Sequence, residues 1–144
     1  MKYLNKLQVY LSNLAVWNAK LHNMHWNVQG KFFFQLHEKT EEMYDEVFKQ
    51  FDDVAELIKI KGELPLATLA EYLKHATIKE VETKLFTTDE VIDVIVADLT
   101  ALNDLARNIR NEADEAGDFT VVMMFEEFVA SYEKTLWFLR ALKG

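Results

Sequence analysis

Five residues in the first half of the chain carry metal-binding side chains, and four of them form pairs spaced by four residues. They are two histidines and three carboxylates: His25, His37, Glu41, Asp52 and Glu56. This donor set suits ferrous iron, manganese or zinc and argues against copper(I). Because an imidazole binds metal only in its neutral form, we expect binding to weaken steeply below about pH 6.

The last four of these residues share one face of a predicted helix. His37 precedes Glu41 by four residues, as Asp52 precedes Glu56, and all four lie within about 100° of helical arc. His37 and Asp52 are, however, 15 residues apart, which is about 22 Å along a helix axis. Since metal–ligand bonds are about 2 Å long, the two pairs cannot bind one ion within one chain.

Two copies of this helix, packed antiparallel about a two-fold axis near Glu46 and Val47, would bring the pairs together. His25 lies six residues before Lys31, and His37 lies six residues after it. In an antiparallel hairpin the two histidines therefore lie at a similar height. The spacing predicts a shared site, formed twice per dimer, in which one chain supplies three ligands and its partner supplies two. These are His25, His37 and Glu41 of one chain and Asp52 and Glu56 of the other.

Apolar residues recur at steps of three and four over four long segments, which predicts an all-α fold. The predicted helices cover 3–28, 34–61, 87–116 and 118–142. A short extra helix is expected at 66–73, in the connection between the second and third helices. Two short loops and one long connection predict an antiparallel four-helix bundle with a crossover. We expect one domain, residues 1–144.

Local signals indicate where these helices begin and which faces they bury. Thr87 and Glu90 match a capping box at the start of the third helix. Asp118 is the expected N-cap of the fourth helix. The predicted core stripe of the third helix includes Asp98. One face of the second helix carries apolar and aromatic residues: Tyr44, Phe48, Phe51 and Ala55.

Composition excludes several classes of protein. The 144 residues include no cysteine, which rules out disulfide scaffolds, thiolate zinc sites and cysteine nucleophiles. A formal net charge of −8 repels nucleic acid and anionic membranes and attracts cations. The apolar runs are far shorter than the roughly 20 residues that span a bilayer, and residues 1–20 do not form a signal-peptide pattern. We therefore expect a soluble, cytoplasmic protein.

Several stretches of the sequence carry a family pattern. Residues 20–30 read Lys-Leu-His-Asn-Met-His-Trp-Asn-Val-Gln-Gly, and 33–39 contain Phe-Phe and Leu-His-Glu-Lys. An Asp-x-x-x-Glu motif follows at 52–56, then Leu-Pro-Leu-Ala-Thr-Leu-Ala-Glu-Tyr-Leu at 64–73 and Glu-Lys-Thr-Leu-Trp at 133–137. Over nearly its whole length the chain closely resembles the Dps family of bacterial miniferritins.

The resemblance implies a hollow shell of twelve four-helix subunits with ferroxidase sites at the dimer two-folds. Members of the family oxidise Fe(II), preferentially with hydrogen peroxide, and store Fe(III) as a mineral, which protects DNA from oxidative damage. The family's iron ligands correspond to His25, His37, Asp52 and Glu56, and Glu41 stands where the family often has Asp. Trp26 matches a family tryptophan beside the iron that intercepts oxidising equivalents; packing at an interface is the alternative role.

Two departures from the family pattern affect its implications. Many relatives bind DNA through a lysine-rich N-terminal tail, whereas this chain has only Lys2 and Lys6 there, so direct DNA binding is not expected. The pore position that is usually Asp aligns with Met123. The acidic residues that could attract cations instead are Asp114, Glu115 and Asp118.

The histidine spacing and the net charge bear on two alternatives. An ordinary ferritin places its di-iron site inside one bundle with Glu-x-x-His motifs, and none of the four histidines here follows that pattern. A non-enzymatic shell that compacts DNA, with a structural metal site, is the alternative function. His22 is expected to support the fold or the metal site without binding the ion, and His75 is expected on the surface.

Overall fold

The computed structural model describes residues 2–144; the predicted domain began at Met1, which lies outside these residues. The elements in chain order are α1 (Lys2–Asn27), β1 (Val28–Gln29), α2 (Phe33–Ile60), α3 (Leu69–His75), β2 (Phe86–Thr87), α4 (Thr88–Glu115) and α5 (Phe119–Lys143). The predicted four-helix bundle, with a short extra helix in the crossover, is confirmed. Within the described chain, no helix is both long and apolar enough to cross a membrane.

Helices α1 and α2 form a hairpin whose tight turn determines where the first two histidines meet. Gly30 has a φ of +107° and Phe32 a φ of +69°, so two residues of this five-residue connection adopt left-handed conformations that reverse the chain. The Phe33 amide donates to the Gly30 carbonyl at 3.2 Å. The hairpin therefore places the last turn of α1 beside the first turns of α2.

Polar side chains of α1, among them Asn13 and Gln8, form hydrogen bonds with the long crossover. Asn13 accepts hydrogen bonds from the backbone amides of Thr77, at 2.7 Å, and Ile78, at 3.0 Å. Gln8 donates to the Leu64 carbonyl and accepts from the Leu66 amide. A two-residue parallel pairing of β1 with β2, which no period-two pattern in the sequence had indicated, holds the end of the crossover against the α1–α2 turn.

The face of α2 that enters the bundle core is aliphatic. Its buried apolar residues are Leu36, Met43, Val47, Val54, Leu57 and Ile58. On the aromatic face expected from the sequence, Tyr44, Phe51 and Ala55 are partly buried against the core, whereas Phe48 is 69% exposed. The aliphatic face is therefore the one that α2 buries fully in its own bundle.

Two acidic residues have roles that differ from those expected. The predicted capping box of Thr87 and Glu90 is present at α4, but the Asp118 side chain makes no capping hydrogen bond at α5. Asp118 instead accepts hydrogen bonds from Tyr3, at 2.8 Å, and Lys61, at 2.6 Å. Although burial opposes its ionisation, these bonds lower the pKa of Asp118. Asp98, predicted in a core stripe, forms a largely buried ion pair with Lys20 at 2.8 Å.

Candidate metal centre

His25 and His37 bind each other's backbone across the α1–α2 hairpin. The Nδ1 of His25 donates to the His37 carbonyl at 2.7 Å, and the Nδ1 of His37 donates to the His25 carbonyl at 2.9 Å. A carbonyl only accepts, so each Nδ1 carries the proton and each Nε2 has a free lone pair. This is the tautomer that a metal-binding histidine needs, held in place before any ion binds.

Neighbouring side chains hold both imidazole rings in position. The rings stack with centroids 3.8 Å apart and planes inclined by 16°. Phe33 stacks on His37 at 5.2 Å, and the buried Thr40 hydroxyl lies 3.1 Å from the His25 Nδ1. His25 lies in the last turn of α1, where a backbone carbonyl lacks an intrahelical partner. The His37 ring therefore donates its hydrogen bond to a carbonyl that has no partner within the helix.

Glu41 completes a cluster of three potential ligands from one chain. It follows His37 by four residues, so its carboxylate lies on the same face of α2. One carboxylate oxygen is 3.8 Å from the His25 Nε2. One ligand atom from each of His25, His37 and Glu41 lies within 4.8 Å of the others. Two imidazoles and one carboxylate close together suit a divalent first-row metal ion.

Asp52 and Glu56 lie far from this cluster. Helix α2 runs without interruption from Phe33 to Ile60, so Asp52 is about 22 Å along its axis from His37. Both carboxylates are exposed, and they share the outward face of α2 with Phe48. The structure of one chain thus brings together three of the five predicted ligands and leaves the other two on its surface.

Two of the remaining sequence candidates lie beside the cluster, and a third lies elsewhere. Trp26 is 68% exposed, and its ring is 5.5 Å from that of His22. His22 donates from Nδ1 to the Asn18 carbonyl at 2.7 Å and stacks on Tyr44. His75 is exposed on α3 and bonds to the Glu71 carbonyl of its own helix.

Tyr44 contacts this cluster closely, although the sequence suggested only an apolar face residue. Its ring meets the His25 ring edge-on at 5.2 Å. Tyr44 lies three residues after Glu41, and this spacing is the signal in the sequence that places Tyr44 near the cluster. Because an aromatic residue at helical spacing usually packs in a core, the spacing alone does not distinguish the two roles.

The acidic residues considered for a pore are partly engaged in ion pairs. Met123 is exposed on α5. Asp114 lies 3.5 Å from Arg110, and the Asp118 carboxylate is held by Lys61 and Tyr3. Asp118 is therefore not free to attract cations as the sequence had suggested.

We expect the affinity of the cluster for Co(II) to be nearly constant from about pH 8 to about pH 6.5 and to fall by about tenfold per pH unit below that. Burial lowers the pKa of His25, so the ring stays neutral and able to bind to a lower pH than a free histidine. By the same shift, the apo-protein keeps the full contribution of His25 to its stability above pH 6.5 and loses it as the pH falls toward the lower folded-state pKa.

The measurement is a Co(II) titration followed by visible absorbance at several pH values, with thermal unfolding of the apo-protein alongside. The exposed His75→Ala variant is the control and should keep both profiles. An affinity that does not change down to about pH 5 would contradict a role for these imidazoles in metal binding.

Comparison with known proteins gives a consistent family assignment. A family model of the ferritin-like domain matches residues 2–144. The DNA protection during starvation protein of Listeria innocua is 36% identical over 135 residues, covering 93% of this chain and 86% of that protein.

Two solved structures are similar to this chain in both fold and sequence. The crystal structure of a Dps protein from Bacillus brevis matches with a TM-score of 0.94 and 37% identity, covering 99% of this chain and 95% of that one. A Dps protein from Vibrio cholerae O1, described as a member of a broad superfamily of ferritin-like diiron-carboxylate proteins, matches with a TM-score of 0.94 and 32% identity, covering 99% of this chain and 89% of that one.

Proposed function

Because the chain belongs to the Dps family of ferritin-like proteins, we propose that it oxidises Fe(II) at metal centres shared between two subunits and stores the Fe(III) product inside a hollow shell. The oxidant is hydrogen peroxide, with O2 as the second choice, and the shell contains twelve chains. Removing Fe(II) and peroxide together protects cytoplasmic DNA from oxidative damage. Iron is here a substrate and a cargo.

One observation carries the proposal: three potential metal ligands lie together in the single chain, and two further carboxylates lie apart from them on its surface. His25 and His37 have their Nδ1 protons engaged and their Nε2 atoms free, beside Glu41. Asp52 and Glu56 are exposed on the same helix, about 22 Å away along its axis. A two-fold partner would bring its own carboxylates to this half-site and receive the same in return.

Exposed apolar residues near Asp52 and Glu56 support pairing with a second copy of the chain. Phe48 is 69% exposed and Leu69 is 79% exposed. Helix α3 buries none of its own residues within the described chain. A cleft of about 330 Å³ lies between α1, α2 and α3 and is lined by Phe48, Phe51, Leu69 and Tyr72, among others. Surface of this kind is typical of a face that another protein covers.

The stacking of the two imidazoles favours two ions. The lone pair of an Nε2 lies in the plane of its ring, and the two ring planes are inclined by only 16°, with ring centroids 3.8 Å apart. Lone pairs that lie in two nearly parallel planes do not converge on one ion, so we expect each ring to bind its own. Metal ions in dinuclear sites lie about 3.5–4 Å apart, which matches the ring separation. A diiron-carboxylate centre, as described for the Vibrio cholerae relative, fits this arrangement.

The chemistry requires two electrons per peroxide, and two Fe(II) ions supply one each. The O–O bond breaks, two protons are taken up, and two water molecules and two Fe(III) ions result. His25 and His37 hold the ions in position. The carboxylates neutralise the rising positive charge, and Glu41, with its exposed side chain, has room to change how it binds. The acidic chain, with a net charge of −8, attracts the cationic substrate.

Stopped-flow mixing of the assembled apo-protein with Fe(II) and either peroxide or air-saturated buffer tests the proposal through the ultraviolet absorbance of Fe(III). We expect oxidation by peroxide to be much faster than in buffer alone and faster than with O2. The His75→Ala variant should behave as the wild type. Oxidation no faster than in buffer would refute the ferroxidase proposal and favour a structural shell.

A further inference from the structure

Thr40 places a fully buried hydroxyl beside the two imidazoles. Its Oγ1 lies 2.7 Å from the Leu36 carbonyl and 3.1 Å from the His37 carbonyl, both on its own helix. A hydroxyl has one proton, and a carbonyl can only accept it, so the proton of Thr40 is directed at α2. The oxygen keeps its lone pairs, and one of them is available to a donor from another helix.

The donor from the other helix is the His25 ring on α1. Its Nδ1 lies 3.1 Å from the Thr40 Oγ1 and 2.7 Å from the His37 carbonyl. Because the hydroxyl proton is already directed at carbonyls of α2, the imidazole N–H is the donor in both contacts. This one N–H is therefore shared between two oxygens of α2, as in other three-centre hydrogen bonds.

The two imidazoles differ in this respect. Within the described chain, the His37 Nδ1 has one hydrogen-bond acceptor, the His25 carbonyl at 2.9 Å. His25 is also the more enclosed of the two, because it is buried whereas His37 is only half-buried. Acceptors on the Nδ1 proton fix the orientation of an imidazole and raise the basicity of its Nε2, and their effect is larger where water is excluded.

We propose that Thr40 is a positioning residue that strengthens the ion position at the Nε2 of His25, so that this position fills before the one at His37. The inference rests on the proposed function in taking the histidine cluster as a metal centre in which each imidazole binds its own ion. The hydroxyl holds the His25 ring in its binding orientation before an ion arrives. The His37 ring, with its single acceptor, binds the second ion more weakly.

The Thr40→Val variant isolates the hydroxyl, because valine is also β-branched and has nearly the same shape. The His25 N–H keeps the His37 carbonyl as its acceptor, so no buried donor is left without a partner, and we expect no loss of thermal stability. We expect Co(II) to bind about tenfold more weakly at the His25 position, the lower end of the cost of removing a ligand's partner. Titration of the assembled protein with Co(II), followed by visible absorbance, measures the affinities.

Two single-histidine backgrounds show which ion position loses affinity. In a His37→Ala chain, only the His25 position remains, and Thr40→Val should weaken its Co(II) affinity about tenfold. In a His25→Ala chain, the same change should alter the remaining affinity less than about twofold, because the partner of the hydroxyl is gone. An equal loss in both backgrounds would overturn the proposal, and so would an unchanged affinity in the His37→Ala background.

Rescue and control variants separate the hydroxyl from a general effect on the helix. Thr40→Ser keeps the hydroxyl and should keep the wild-type affinity, whereas Thr40→Ala removes it and should lose as much affinity as Thr40→Val. Thr100→Val is the matched control, because the exposed Thr100 makes the same bond to a carbonyl four residues earlier, that of Val96 at 2.7 Å. A loss in this control equal to that in Thr40→Val would contradict a specific role for Thr40. Thermal unfolding of each variant shows whether the fold is kept.

The same titration separates this inference from the proposed function. Co(II) binding requires no oxidation, so a wild type that binds Co(II) but does not oxidise Fe(II) would refute the ferroxidase activity and leave the role of Thr40 standing. If removing His25 did not weaken Co(II) binding, the cluster would not be the metal centre, and the positioning role would be overturned with it.

Discussion

Two inactive variants should regain activity when they form a mixed dimer. The His25→Ala/His37→Ala chain keeps its carboxylates, and the Asp52→Ala/Glu56→Ala chain keeps its histidines. Each variant alone is expected to lose rapid Fe(II) oxidation, because every site it forms lacks one half. In a mixed dimer, one of the two sites combines the intact histidines of one chain with the intact carboxylates of the other.

The expected size of the recovery follows from the two-fold symmetry. Random pairing of equal amounts makes half of the dimers mixed, and each mixed dimer has one complete site of two. Activity should therefore return to about a quarter of the wild-type value. Co-expression of the two chains with different affinity tags, followed by stopped-flow oxidation of Fe(II), measures it. The control mixes either variant with itself under the same protocol.

Confirmed mixed dimers without activity would contradict a shared site. Wild-type activity of the Asp52→Ala/Glu56→Ala chain by itself would place these two carboxylates outside the metal centre and leave His25, His37 and Glu41 to bind iron within one chain. The geometry makes this experiment decisive, because α2 is a single unbroken helix and no rearrangement inside one chain closes about 22 Å along its axis.

The His25→Ala/His37→Ala variant is expected to slow Fe(II) oxidation more than about 100-fold, since removing even a partner of a metal ligand costs about 10–100-fold. Both free Nε2 atoms disappear, and the remaining carboxylates are too weak and too exposed to hold Fe(II) alone. The bundle should persist, because its core lies among the aliphatic faces of the helices. Stopped-flow oxidation, circular dichroism and light scattering are the measurements.

The exposed His75→Ala variant is the control for removing a histidine without touching the cluster. Because the two rings also hydrogen-bond each other's backbone, some loss of stability is expected in the double variant. If the double variant has a lower unfolding temperature but is still folded at the assay temperature, its lower stability does not explain a loss of oxidation rate of this size. Wild-type oxidation rates in the double variant would refute the assignment of both ligands.

Much of the fold could be predicted because helix formation depends on near neighbours. The three-and-four spacing of apolar residues located four helices, and the capping box of Thr87 and Glu90 located the start of α4. The equal distances of His25 and His37 from Lys31 placed the two rings at one height, and their rings stack at 3.8 Å. The role of the five residues as ligands remains a prediction.

The errors concern contacts between residues that are distant along the chain. Asp118 is the N-cap residue of α5, as expected, but its side chain makes no capping bond and binds Tyr3, 115 residues away, and Lys61 instead. Tyr44 looked like a packing residue, yet it contacts His22 and His25 from the opposite helix. A short polar side chain before a helix has a local partner by default, and only the tertiary structure offers it a competing one.

The sequence by itself determined the helices, their order and the hairpin that joins the first two. It also determined the spacing that keeps Asp52 and His37 of one α2 helix too far apart to bind the same ion. These follow from periodicity and from the fixed rise of the α-helix. Only the tertiary structure decided which face of α2 is fully buried, which nitrogen of each histidine stays free, and where the rings of His22 and His25 lie against Tyr44. Those outcomes depend on packing and hydrogen bonding between separate helices, whose energies no local pattern contains.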